Sequence, residues 1–184
     1  MLSYHKNKLE RCGFTLIELL LVVSILLVLA AIAVPRLLKR SATADLIATL
    51  KELEMLCLCA QQNAYAGNKE HVITIDVDAQ RCTLTTQQHT WLVELPKTCQ
   101  FGILQNAFGP PGDPFKKITQ KITFPMENKK HIIRFQSTGS VSPGTAYIID
   151  KQESRLGALT CGVSQVSYIR KYVYNNGSWL LLTK

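Results

Sequence analysis

The sequence predicts an α+β chain in which one long N-terminal helix precedes antiparallel β-structure. Three observations carry this. From Phe14 to Val34 every residue is apolar or a small hydroxyl except Glu18. Beyond Pro35, the residues Leu46, Leu50, Leu53, Cys57, Ala60 and Ala64 recur at three- and four-residue spacing, the period of one helix face. From Val72 onward, short runs rich in Val, Ile, Thr and aromatic residues alternate with turn signals. No internal repeat is visible.

The first element is a helix from about Phe14 to Ala66. Its apolar part, at about 1.5 Å per residue, is roughly 30 Å long, the thickness of a bilayer's hydrocarbon core. Pro35 is expected to kink it. Arg36, Lys39 and Arg40 then form one basic face suited to anionic lipid headgroups. Farther on, Asp45, Lys51, Glu52 and Glu54 occupy faces other than the apolar stripe. Gly67-Asn68 supplies the stop. The organisation read from this is a basic leader over 1–13, a membrane helix over 14–40 and a globular domain over 41–184. That domain holds helix over 41–66 and β-structure over 71–184.

Val72–Val77 and Arg81–Thr85 flank the short turn Asp78-Ala79-Gln80 and read as a hairpin. Trp91–Leu95, Lys121–Phe124 and His131–Phe135 are further strands. Val166–Tyr174 and Ser178–Leu182 flank Asn175-Asn176-Gly177, a strong hairpin signal. Gly109-Pro110-Pro111-Gly112-Asp113-Pro114 is a loop.

The chain has 184 residues and a formal charge of +8. Residues 1–13 hold Lys6, Lys8 and Arg11 against Glu10, so residues 14–184 carry +6. Enzymatic chemistry finds no support. His5, His71, His89 and His131 are scattered, and no nucleophile elbow, P-loop or dinucleotide turn is present. No cofactor is implied. Asp76 and Asp78 lack neighbouring oxygen ligands, and the cysteines lack zinc-like spacing, so no metal site is expected.

Glu18 is the residue to explain, because a carboxylate inside such a helix costs on the order of 2.5–3.5 kcal/mol at its centre and less near its end. Lys6, Lys8, Arg11, then Gly13-Phe14-Thr15-Leu16-Ile17-Glu18 and the apolar helix resemble the type III signal of type IV pilins and pseudopilins. The resemblance implies cleavage between Gly13 and Phe14 by a prepilin peptidase, which also methylates the new N-terminus to N-methylphenylalanine. It implies a leader in the cytoplasm, an inner-membrane anchor and a periplasmic domain. Cleavage creates an amine at Phe14, which in a filament pairs with Glu18 of a neighbouring subunit. An ordinary secretory signal could use Ala31-Ile32-Ala33, but the apolar run is too long and carries a glutamate. Charge counting leaves orientation tied, since three basic residues stand on each side of the run.

The helix ending near Asn63-Ala64 and the Val-Ile-Thr-Ile strand after it resemble the H-type minor pseudopilins of type II secretion. So does Ile133–Val141 followed by Tyr-Ile-Ile-Asp. The resemblance implies a β-sandwich packed on the helix, and other pseudopilins or pilins, inner-membrane lipid, an exported protein or an outer-membrane secretin as partners. Two functions stay open. One is a structural subunit of a secretion pseudopilus. The other is a minor type IV pilin for pilus assembly or DNA uptake, with Arg170, Lys171 and Lys184 beside Tyr168, Tyr172, Tyr174 and Trp179 as nucleic-acid contacts. Against the second, Gly177 is followed by Ser178 and Trp179 where DNA-binding relatives carry a basic cluster.

An oxidising periplasm permits disulfides. Cys12 lies in the leader, leaving Cys57, Cys59, Cys82, Cys99 and Cys161, an odd number. Cys57 and Cys59 fall on different helix faces, Cys57 on the core stripe. Cys82–Cys99 is the pairing expected.

Overall fold

The computed structural model describes residues 15–86, 89–109, 113, 115–152, 154–162, 167–175 and 177–182, with the side chains of 33–42 excepted. The leader, Gly13, Phe14 and Lys184 therefore lie outside the described residues. Two compact units are present, Met1–Arg40 and Ser41–Lys184. Helix α1, Leu16–Ala66, begins in the first and ends in the second. Its helical assignment runs unbroken past Pro35.

The helix ends in a Schellman motif. Asn68 takes a left-handed φ of 45°, Lys69 N–H donates to Ala64 O at 3.2 Å, and Asn68 N–H donates to Tyr65 O at 3.4 Å. Gly67 stands one residue earlier than the left-handed position, which asparagine fills instead.

Within Ser41–Lys184 two five-stranded antiparallel sheets form. The first comprises β1 (His71–Asp76), β2 (Arg81–Thr85), β3 (Thr90–Glu94), β5 (Met126–Glu127) and β6 (Lys130–Phe135), in the order β3-β2-β1-β6-β5. The second comprises β4 (Cys99–Phe101), β7 (Gly144–Asp150), β8 (Leu156–Gly162), β9 (Tyr168–Asn175) and β10 (Ser178–Leu181), in the order β10-β9-β8-β7-β4. The expected β1–β2 hairpin closes with Asp76 Oδ1 accepting the Ala79 N–H at 3.0 Å. This contact and Lys130, at 3.2 Å, hold the Asp76 carboxyl below its ordinary pKa. Gly177, at a φ of 85°, turns β9 into β10.

Gln80 stitches the sheets together. Its main-chain carbonyl accepts the Leu95 N–H at 2.9 Å, while its side-chain oxygen accepts the Phe101 N–H of β4 at 2.7 Å. Buried Asp150 organises the β7–β8 turn by accepting the Ser154 and Arg155 N–H groups at 2.7 and 3.2 Å.

The helix stripe is the centre of the main core. Leu46, Leu50, Leu53, Cys57, Ala60 and Ala64 are buried with Ile73, Ile75, Leu84, Ile133 and Phe135 of the first sheet. Ile148, Leu159, Cys161 and Val173 of the second sheet complete it. A second core covers the other face of the second sheet, where Ala107 and Ile118 meet Tyr147, Ile149, Leu156 and Ala158. Both faces of β7 and β8 are thus buried, so these strands carry apolar residues without alternation.

Three strands escape the sequence reading: β4, β5 and β8. Leu156-Gly157-Ala158-Leu159-Thr160-Cys161-Gly162 is poor in β-branched and aromatic residues, the usual strand signal. Packing explains it, since a Cβ on Gly157 would stand 2.7 Å from Leu50 Cδ1 and 3.3 Å from Leu46 Cδ1. Conversely, Lys121–Phe124 is not a strand; only an Ile122–Ala146 bridge forms there, because Ile122 and Phe124 are drawn into the main core.

Gly157→Val should destabilise the chain by about 1–3 kcal/mol through overpacking, and Leu50→Ala by about 2–5 kcal/mol through the cavity it leaves. The double variant should cost less than the two combined, because the lost methyls make room for the new ones. Urea unfolding of the detergent-solubilised chain measures this. Strict additivity would mean that Gly157 does not admit Leu50.

Candidate functional site

The N-terminal segment is built around Glu18. Thr15 donates to Glu18 Oε2 from both its N–H, at 2.9 Å, and its hydroxyl, at 2.7 Å. The Glu18 N–H donates back to Thr15 Oγ1 at 3.3 Å. This reciprocal pattern is a capping box, with Thr15 as the N-cap and Glu18 three residues in. It satisfies donors that the first turn of a helix otherwise leaves unpaired. The sequence carried that signal in Thr15-Leu16-Ile17-Glu18, and the reading given above assigned Glu18 only to a neighbour's amine. Gly13 and Phe14, the two sides of the expected cleavage, lie outside the described residues.

Behind the cap, large apolar side chains from Leu16 to Ile32 are exposed along the helix, Leu16 at 83% and Leu27 at 65%. A continuous exposed apolar surface of this length calls for surroundings other than water. Among the described residues no helix is long and apolar enough to cross a membrane. The described side chains of the segment, Leu16 to Ile32, span roughly 25 Å, and in the sequence Phe14 precedes them while Ala33 and Val34 follow.

The C-terminal basic and aromatic residues come out differently from the sequence expectation. Arg170 and Lys171 are neighbours on β9 and therefore point to opposite faces. Arg170 is exposed, its guanidinium 4.6 Å from the centre of the Tyr168 ring. Lys171 is buried, its side chain 4% exposed, and its Nζ lies 2.7 Å from Glu54 Oε2 of α1. Lys171 is thus corrected from a nucleic-acid contact to the partner of a helix carboxylate. The nearby aromatics are also engaged. Trp179 Nε1 donates to Phe108 O at 3.1 Å and to Gly109 O, and its ring packs 5.0 Å from Tyr174. Tyr172 and Tyr174 pack on the second core.

The expected Cys82–Cys99 bridge is also corrected, since both are buried free thiols and stand in different sheets. Cys82 sits in the first sheet, paired in register with Ile75 and Val93, and burial pushes its thiol up to about 12. Cys99 sits in the second sheet opposite Asp150, with the Thr98 hydroxyl 4.0 Å from its sulfur.

An open cleft of about 600 Å³ is lined by Asn63, Gly67, Lys69, Glu70, His71 and Thr85. Among the described residues no group of three His, Cys, Asp or Glu side chains is arranged to hold a metal ion.

Residues 10–34 match the prokaryotic N-terminal methylation motif. In solved structures, the chain is similar to the minor pseudopilin EpsH from the type II secretion system of Vibrio cholerae. One structure of it aligns with a TM-score of 0.48 at 14% identity, covering 68% of this chain and 95% of that one. Another aligns with a TM-score of 0.47 at 16% identity, covering 68% and 93%. No curated protein matches the chain.

The Lys171–Glu54 pair yields a testable consequence. Glu54→Ala strands a buried ammonium and should destabilise by about 3–5 kcal/mol, whereas Glu54→Leu with Lys171→Met should be close to neutral. Unfolding midpoints in urea decide it, and a harmless Glu54→Ala would mean that Lys171 reaches water.

Proposed function

We propose that the chain is a minor pseudopilin, a structural subunit of a type II secretion pseudopilus that helps move folded proteins across the outer membrane. The observation that carries this reading is the methylation motif over residues 10–34, with Glu18 inside it. The exposed apolar stretch from Leu16 to Ile32 supports an inner-membrane anchor, with Ser41–Lys184 in the periplasm. The chain is an enzyme's substrate and no enzyme itself. A prepilin peptidase cuts between Gly13 and Phe14 and methylates Phe14.

Assembly then follows from charge. The new amine at Phe14 and the carboxylate of Glu18 are both costly in an apolar core, and they offset each other when two subunits stagger. Before assembly, the capping box gives the same carboxylate two donors on its own chain. A cap is worth only about 0.5–2 kcal/mol, so a desolvated amine can take the carboxylate over. Pro35 relieves the helix beyond the anchor, and Arg36, Lys39 and Arg40 meet lipid headgroups. Other pseudopilins are the lateral partners, and an exported protein or the outer-membrane secretin is the partner at the tip.

The second reading, a minor type IV pilin that captures DNA, is weakened by Lys171, which is buried against Glu54. Arg170 alone remains of that basic pair. Deleting the gene in its host and scoring exported-protein release together with DNA uptake separates the two. Loss of release with uptake intact is the expected result. Lost uptake or lost pili with normal release would move the chain to the pilins.

Glu18 variants separate charge from cap. Glu18→Gln keeps an acceptor for the capping box but loses the charge. We expect Glu18→Gln and Glu18→Ala to be cleaved normally and both to fall at least tenfold in fibre incorporation, while Thr15→Ala falls far less. Normal incorporation of Glu18→Gln would reduce Glu18 to a helix cap.

A further inference from the structure

Buried thiols lie in the main core beneath the helix. Cys57 of α1, Cys82 of β2 and Cys161 of β8 are each no more than 2% exposed, and Cys99 of β4 is a fourth buried thiol in the same core. Cys57 and Cys161 are both free thiols in this structure; the Cys161 thiol, followed by burial, raises the Cys57 thiol well above its ordinary range.

The way α1 lies along β8 leads to the same pair independently. Gly157 abuts Leu50 and Leu46. Lys171, one residue from the β9 partner of Ala158 and itself paired with Leu159, reaches Glu54. Cys161 follows Gly157 by two same-face steps, roughly 13 Å along the strand. Cys57 follows Leu50 by two helical turns, roughly 10 Å along the axis. Helix and strand therefore advance together from the Leu50–Gly157 contact toward Cys57 and Cys161.

We propose that Cys57 and Cys161 form a disulfide in the mature protein, binding α1 to the central strand of the second sheet. The S–S bond is about 2.05 Å long, and both side chains lie in the core between α1 and the second sheet. The other thiols are placed for other things. Cys59 is half-buried, and its sulfur is 3.6 Å from Asn63 Nδ2. Cys99 faces the Thr98 hydroxyl in the second sheet. Cys82 acts on Cys57 only through space. The bridge closes a loop of roughly 100 residues, a length at which cross-linking strongly restricts the unfolded chain.

The chemistry is thiol–disulfide exchange. One thiol loses its proton and attacks a disulfide oxidant such as glutathione disulfide, releasing one glutathione thiolate. The second thiol, deprotonated in turn, displaces the other glutathione from the mixed disulfide. Two thiols are oxidised to one disulfide, and one glutathione disulfide is reduced to two glutathiones that take up the two protons. Burial keeps both sulfurs from an oxidant in the closed fold, so the exchange belongs to folding, before α1 closes on β8. Its occurrence in the cell rests on the periplasmic placement proposed above; the choice of partners does not.

The test maps cysteines in the full-length chain twice. In the first arm the chain is refolded in detergent from guanidinium with glutathione and glutathione disulfide. In the second it is extracted from membranes into N-ethylmaleimide. Trypsin cuts after Lys51, Lys69, Arg155 and Arg170, and mass spectrometry without reductant reads the products. The expected result is peptide 52–69 joined to peptide 156–170, fragments around Leu58 assigning the link to Cys57 and the alkyl label to Cys59. Alkylation of both Cys57 and Cys161 after refolding, or a link from Cys161 to Cys59 or Cys82, would overturn the pairing. A bridge that forms on refolding but is missing from the membrane extract would uphold the pairing and overturn the periplasmic placement.

Discussion

The fold of Ser41–Lys184 depends on one seam, the apolar stripe of α1 laid against two sheets at once. Leu46, Leu50 and Leu53 carry the bulk of it, and Ala60 and Ala64 let the chain come close. Two five-stranded sheets with no helix between them would each leave an apolar face bare, and Ile73, Ile133, Ile148 and Leu159 would have no common partner. Strand β8 surrenders a side chain to the contact. Its glycine at 157 leaves room for Leu50. Stability here is a property of shape matching, in which helix bulk and strand smallness are complementary.

One continuous helix serves two environments that reward opposite residues. From Leu46 on, apolar side chains fall on one face and the rest stay polar, as packing beside water requires. From Leu16 to Ile32 every face is apolar apart from Glu18 and Ser24, a pattern useful only where no face meets water. Glu18 is tolerated because it stands in the first turn. There a carboxylate accepts helix N–H donors and meets the positive end of the helix dipole. A carboxylate in mid-helix would have neither escape.

What the sequence made legible follows from how locally each feature is specified. The helix and its stop were readable because periodicity and a Gly-Asn pair act within a few residues. The hairpins β1–β2 and β9–β10 were readable because turn chemistry at Asp76–Gln80 and at Asn175–Gly177 is equally local. β8 was not, since its small residues answer to Leu46 and Leu50, about a hundred positions away, and no window on the strand contains that information. At the candidate site, Glu18 was found as a charge and missed as a cap. Its short-range hydrogen bond to Thr15 was legible from the spacing alone. The cysteine pairing failed for the reason β8 failed. Which thiols meet depends on the register of helix against sheet, and that register is set by packing.

Parity along a strand explains the remaining disagreement and bears on function. Arg170 and Lys171 read in sequence as one basic cluster, yet adjacent strand residues face opposite ways. One is left at the surface over Tyr168 and the other goes into the core. A buried lysine is retained only with a carboxylate at hand, and Glu54 supplies it from the helix at 2.7 Å. Such a pair adds little net stability over an apolar replacement, because desolvation offsets most of the attraction. What it adds is direction. A helix shifted by a turn would lose both the fit of Leu50 at Gly157 and the carboxylate that Lys171 reaches. The charge that looked like a contact for an external phosphate therefore acts on the chain's own helix, joining the packing of Leu50 at Gly157 in holding α1 along β8 and β9.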